Sequence, residues 1–165
     1  MNTIDTVKER KRSGRPPDNL KNELRFEIPA LSVNEGLARS VSSVFISQLD
    51  PTVEELSDLK CAISEAVTNS IVHGYRDISG QIYITIKILD ERTVRIEIRD
   101  KGHGIENVKE AMQPLFTTDR EGERSGMGFT VMESFTDKLT VVSRPRAGTK
   151  VTMIKTLSGK RASKQ

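Results

Sequence analysis

The sequence predicts an α+β fold, a two-layer α/β sandwich with helices on one face of a mostly antiparallel sheet. Three observations carry that expectation. Two isoleucine-rich runs, at 82–88 and 94–98, alternate with polar residues, the period of strands with one buried face. Two Ser/Thr-x-x-Glu signatures, Ser32 to Glu35 and Thr52 to Glu55, each precede apolar residues at helical spacing, the mark of a capped helix start. The resulting order is β-α-α-β-β-loop-α-β-β.

Along the chain, residues 1–20 lack apolar periodicity and contain Gly14, Pro16 and Pro17, so they are expected to be disordered. Leu24, Phe26 and Ile28 alternate with Arg25 and Glu27 as a first strand. Leu37, Val41, Val44, Phe45 and Leu49 form the apolar stripe of a first helix, which Pro51 ends,. A second helix is expected from Thr52 to about Tyr75. The runs 82–88 and 94–98 then form a hairpin. Residues 101–128 are rich in glycine and polar side chains, with a short helix near 106–112; a loop this long inside a compact domain is usually functional. A helix at 129–135 and strands at 138–143 and 149–155 follow, and a polar tail occupies 157–165.

At 165 residues the chain fits one domain with a sizeable core,. Its hydrophobic content of 35% and charged content of 30% describe a soluble protein. No apolar run approaches the roughly 18 residues of a membrane span. The N-terminus has no signal-peptide core, and a cytoplasmic location is expected. Cys61 is the only cysteine, which rules out an internal disulfide, and two histidines disfavour a zinc enzyme,. The net charge of +3 belongs to the ends: residues 1–21 hold six basic and three acidic side chains, and the tail adds Lys160, Arg161 and Lys164. The body between them is net acidic, so a nucleic-acid partner does not follow.

The second helix poses a chemical question. On a wheel of about 100° per residue, Leu56, Leu59, Ile63, Ala66, Val67 and Ser70 make the buried stripe. Glu65, Asn69 and His73, four apart, form a row on the other side. A solvated face is the ordinary explanation of such a row. Its neighbours Thr68, Ser70 and Val72 are not the Lys, Arg and Glu of a merely solvated face. A carboxylate beside an amide oxygen suits a hard cation and a hydroxyl to be activated.

Asp100 raises a second question. It shares parity with the apolar residues Val94, Ile96 and Ile98, so it should point inward, where an unpartnered carboxylate is costly. Asp90 has the same parity in its own strand but lies at the hairpin turn, where it can leave the face. Gly102 and Gly104 follow Asp100, and glycines there let a flat ligand approach the backbone while the carboxylate accepts from an exocyclic amine. Arg124, Gly126 and Gly128 precede a helix, an arrangement that supplies backbone N–H groups and a bidentate cation to phosphate. Gly148-Thr149 is a weaker signal of the same kind.

In this order, Glu65-x3-Asn69-x3-His73, Asp100-x-Gly102-x-Gly104, Gly126-x-Gly128 and Gly148-Thr149 resemble the N, G1, G2 and G3 boxes of the GHKL ATPase/kinase superfamily. "SEAVTNSIVHGY", "QPLFTT" and "RSGMGFTVME" resemble the bacterial anti-sigma serine kinases, nearest to the sporulation (anti-sigma F) type, from about residue 20 to 156. The resemblance implies that ATP and Mg²⁺ are cofactors. It implies that Asn69 ligates Mg²⁺, that Glu65 is the general base toward an acceptor serine, and that Asp100 accepts from the adenine amine, with Thr149 supporting it through water. Gly102 and Gly104 would shape the adenine pocket. Residues 105–125, with Thr117 and Thr118, would form a lid. Arg124 would touch the γ-phosphate, and the Gly126 and Gly128 amides would cradle the phosphate chain. His73 is expected to orient or pack.

The resemblance also implies partners: a sigma factor, an anti-anti-sigma protein phosphorylated on serine, and a second copy in a homodimer. Glu35 and Arg39 on the first helix are the exposed candidates for partner contact. Relatives start near Leu20-Lys21-Asn22-Glu23-Leu24, so Leu20 is the expected initiator and residues 1–19 an artefact of gene prediction; the intact mass decides. Two other readings stand beside the kinase: a stress-response (sigma B type) anti-sigma kinase, and a nucleotide-dependent sigma-binding module without significant catalysis. A histidine-kinase catalytic domain would need an upstream helical phosphoacceptor, which residues 1–20 do not supply.

Overall fold

The computed structural model of the protein describes residues 19–114 and 127–158. Five strands form one sheet: β1 (Asn22–Pro29), β2 (Gln81–Ile88), β3 (Thr93–Arg99), β4 (Lys138–Arg144) and β5 (Gly148–Thr156). Their spatial order is β1-β2-β3-β5-β4, and every neighbouring pair is antiparallel. The expected α+β sandwich and its element order are therefore observed.

Register explains the alternating isoleucines. Ile84 stands opposite Phe26 and Ile98, and Ile86 opposite Leu24 and Ile96. Ile82, Ile84, Ile86, Val94, Ile96 and Ile98 are buried on one face of the sheet. Each buried isoleucine contributes about 1.5–3 kcal/mol relative to exposure. Asp90 does leave that face, as expected: its Oδ1 accepts the N–H groups of Arg92 and Thr93 and ties the hairpin turn.

The helices α1 (Glu35–Ile46), α2 (Val53–Asn69), α3 (Val108–Ala111) and α4 (Gly128–Phe135) complete the chain order. Helix α2 touches both α1 and α4. It buries Leu59, Ile63, Ala66 and Val67 in the core shared with the sheet, with Ala38 and Ile46 of α1 and Met132 of α4. The stripe read from the wheel is thus the packed face.

Two helix boundaries differ from expectation. The Ser32–Glu35 capping box does not form: Ser32–Asn34 is a 3₁₀ turn, and α1 starts at Glu35 without a side-chain cap. The Glu35 carboxylate is engaged elsewhere, accepting from the Ser64 hydroxyl of α2. The second expected helix does not stay α-helical to Tyr75. It winds as α-helix to Asn69 and then makes a single π turn, Ser70–Gly74, closed by the Tyr75 N–H donating to the Ser70 carbonyl at 2.9 Å. Such a turn inside or after an α-helix frequently marks a functional site.

Candidate functional site

Strand β3 delivers Asp100 to the buried side of the sheet, where it is only 2% exposed. Its carboxylate survives there because three donors replace water. The Gly102 and Thr149 N–H groups donate to Oδ1 at 3.0 and 3.2 Å, and the Ser70 hydroxyl donates to Oδ2 at 3.0 Å. Loss of water pushes the Asp100 pKa up, and the three hydrogen bonds pull against that shift,. The carboxylate is thus held in one orientation with lone pairs to spare, a built acceptor for an amine. Thr149 supports it directly through its backbone N–H.

The glycines around Asp100 are there for contact. A Cβ on Gly102 would run into the Gly74 carbonyl, and one on Gly74 would lie 2.9 Å from the Asp100 carboxyl carbon. The His103 N–H donates to that same Gly74 carbonyl at 2.8 Å. Gly148 has φ +85° and packs on the Asp100 carbonyl, a conformation and a distance that only glycine accepts. Gly104 sits equally tightly against the Arg144 carbonyl. The loop after β3 is therefore clamped between the π turn and the β4–β5 turn. Tyr75 adds a strut: its hydroxyl accepts from the Lys101 N–H and donates to the Gln81 carbonyl, both at 2.7 Å.

On α2, Glu65 and Asn69 are half-buried. Both face the start of α4. A Cβ built on Gly128 would lie 3.1 Å from Glu65 Oε2 and 3.3 Å from Asn69 Oδ1. The Glu65 carboxylate and both polar atoms of the Asn69 amide thus crowd the side of Gly128 where a side chain would start. The Glu65 carboxylate and the Asn69 amide each carry an oxygen of the hard type that Mg²⁺ takes. His73 is half-buried and, with Arg76, Asp77 and His103, lines a depression of about 280 Å³ beside the π turn.

Glu65, Asn69 and Gly128 are brought together, and Asp100, Gly102 and Thr149 form a second cluster, while Gly104 packs on the Arg144 carbonyl. Glu35 and Arg39 lie 3.8 Å apart on α1, and both are partly covered, with side-chain exposures of 22% and 42%. Thr117, Thr118, Arg124 and Gly126 lie outside the described residues. Sequence reasoning missed Ser70 and Gly74 as parts of the site. Ser70 sat in the apolar stripe of the wheel, and its hydroxyl, facing a strand that ends in an inward carboxylate, was the available signal.

Comparisons with known proteins give the family. Residues 28–155 match the family of the histidine kinase-like ATPase domain. The anti-sigma F factor of Anoxybacillus flavithermus is 51% identical over 144 residues, covering 87% of this chain and 98% of that protein. The anti-sigma F factor of Bacillus velezensis is 50% identical over the same shares. Among solved structures, the RsbU and RsbW domains of Rv1364c from Mycobacterium tuberculosis superpose with a TM-score of 0.61 at 20% identity, covering 83% of this chain and 33% of that one. The catalytic domain of histidine kinase ThkA gives 0.52 at 17% identity, covering 83% and 97%. Those two likenesses are of fold. The sequence matches go further: the chain belongs to the histidine kinase-like ATPase family and, within it, to the anti-sigma F factors.

Proposed function

We propose that the protein is an ATP-dependent serine/threonine-protein kinase that restrains a sporulation sigma factor and phosphorylates its anti-anti-sigma antagonist on serine. It acts as a cytoplasmic homodimer. The observation that carries the catalytic half is the meeting of Glu65 and Asn69 at the glycine that opens α4. A site that only bound nucleotide has no use for a carboxylate there. The anti-sigma half rests on the relatives at about half identity over nearly their whole length. Their names also favour a sigma F type partner over a stress-response one.

In this reading Asp100 accepts the adenine amine. Gly102 and Gly104 shape the adenine pocket by letting the loop pack on the Gly74 and Arg144 carbonyls, and Thr149 holds the carboxylate. Asn69 holds Mg²⁺, which neutralises phosphate charge when bound. Glu65 takes the proton from the acceptor serine as its oxygen attacks the γ-phosphorus and the bond to the β-phosphate oxygen breaks. Thr117, Thr118, Arg124, Gly126 and Gly128 contact the triphosphate, the last two through amides. Glu35 and Arg39 belong to the partner-facing surface of α1.

The test is transfer of γ-phosphate from labelled ATP to the antagonist, with Glu65→Gln as the control. Transfer is expected to fall by at least about 100-fold, as when a general base is removed, while ATP affinity stays within a few-fold. Equal transfer by both proteins sinks the kinase mechanism and leaves a binding module.

A further inference from the structure

The π turn Ser70–Gly74 faces the Asp100 carboxylate at both its ends: the Ser70 hydroxyl donates to Oδ2, and a Cβ on Gly74 would lie 2.9 Å from the carboxyl carbon. The turn's geometry makes this contact. Continued as α-helix, residue 74 would lie one position out of phase with α2, and its carbonyl would not meet the His103 N–H,. Ser70 is 5% exposed, and among the described residues its side chain makes one hydrogen bond, the one to Asp100. A serine at this place in an otherwise apolar stripe contributes nothing to the core that alanine would not.

We propose that Ser70 is a positioning residue for base recognition: its hydroxyl fixes the orientation of the Asp100 carboxylate and so sets the preference for a 6-amino purine. The inference rests on the reading of Asp100 as the adenine acceptor. Both amide donors converge on Oδ1, so Oδ2 is the oxygen that needs its own restraint. Ser70 supplies it and leaves further lone-pair directions of Oδ2 for a ligand N–H. Without Ser70 the carboxylate is restrained through Oδ1 alone, and Oδ2 loses a charge-assisted partner,. Among the described residues the carboxylate accepts from the Ser70 hydroxyl and the Gly102 and Thr149 amides, none of them titratable. Lys101, the adjacent cation, lies over the Tyr83 ring, 4.7 Å from its centre.

The experiment measures affinities of Mg·ATP and Mg·ITP for the wild type and Ser70→Ala by calorimetry. Inosine carries a carbonyl where adenine carries the amine, so it has no exocyclic N–H to donate to Oδ2. Ser70→Ala is expected to weaken ATP about tenfold, the scale of one hydrogen bond to a charged group. ITP should change less than about twofold. The ATP-to-ITP ratio therefore falls. A merely structural serine would weaken both nucleotides equally or neither, and either result overturns the proposal. Should Ser70→Ala not fold, Ser70→Cys, with a similar shape and a weaker donor, reads the same ratio and is expected to lie between. A wild type that binds neither nucleotide overturns the reading of Asp100 itself, which is a distinct failure.

Discussion

Asp100 shows how a single residue organises its surroundings. Its inward parity was legible because strand side chains alternate, and an aspartate in an isoleucine register has to be accounted for. Its partners were less legible. Gly102 follows it in sequence, but Ser70 and Thr149 arrive from distant elements, and spacing carries no information about them. The close contacts make Gly102 the most exacting position. Gly102→Ala would force the loop away from the Gly74 carbonyl and break the hydrogen bond that Gly102 donates to Asp100. We expect destabilisation of about 2–4 kcal/mol, the range of overpacking plus a lost charged hydrogen bond, measured by urea unfolding. A variant as stable as the wild type would show that the loop is looser than drawn.

Helix α2 illustrates how local patterns compete with tertiary contacts. Both Ser/Thr-x-x-Glu signatures read alike in sequence, yet only Thr52–Glu55 closes: the Glu55 N–H donates to Thr52 Oγ1 at 3.1 Å and the Thr52 N–H to Glu55 Oε2 at 2.9 Å. In the other, Ser64 takes the Glu35 carboxylate across the α1–α2 interface. Glu55 also holds the chain just after β5, accepting from the Ser158 backbone and hydroxyl at 2.5 and 2.7 Å. Partial burial works against its charge, but the hydrogen bonds from Thr52 and Ser158 outweigh it and bring its pKa down to about 2. The sign follows from linkage. The folded state holds this group ionised more strongly than the unfolded state, so its stabilisation is present above the ordinary value and is lost as pH falls from about 4.5 toward about 2,. Glu55→Gln is expected to cost about 1 kcal/mol near neutral pH, the scale of a helix cap. The gap to the wild type in denaturant midpoint should close as pH drops through that window. A gap unchanged at pH 3 would contradict the account. The π turn after Asn69 was hidden for a related reason: apolar spacing at 3.6 residues ran on past it, and the change of winding is set by what Gly74 touches.

For the whole molecule, the sheet order does the assembling. Placing β5 between β3 and β4 sets the end of β3 beside the start of β5, so Asp100 meets Thr149 although forty-eight residues separate them in sequence. Packing α2 against α4 brings Glu65 and Asn69 to Gly128. The sandwich was readable from periodicity alone, because period-two isoleucine runs and helical stripes leave few arrangements. The membership of each cluster depends on long-range topology, which residue spacing does not carry; only the order of the motifs pointed to it. Asp100 joins the levels, and one substitution isolates its chemistry. Asparagine at 100 can keep its oxygen on the Gly102 and Thr149 amides and turn its NH₂ toward the Ser70 hydroxyl, so the fold should be retained. It then offers a donor where the adenine amine needs an acceptor. Calorimetry with Mg·ATP on the wild type and Asp100→Asn, both checked by thermal unfolding, is the most direct trial of the pocket. The account predicts saturable one-site binding to the wild type and at least about a hundredfold weaker binding to the variant, the loss from opposing a buried donor to a donor. Unchanged affinity in a folded Asp100→Asn protein, or no heat with the wild type, would contradict it.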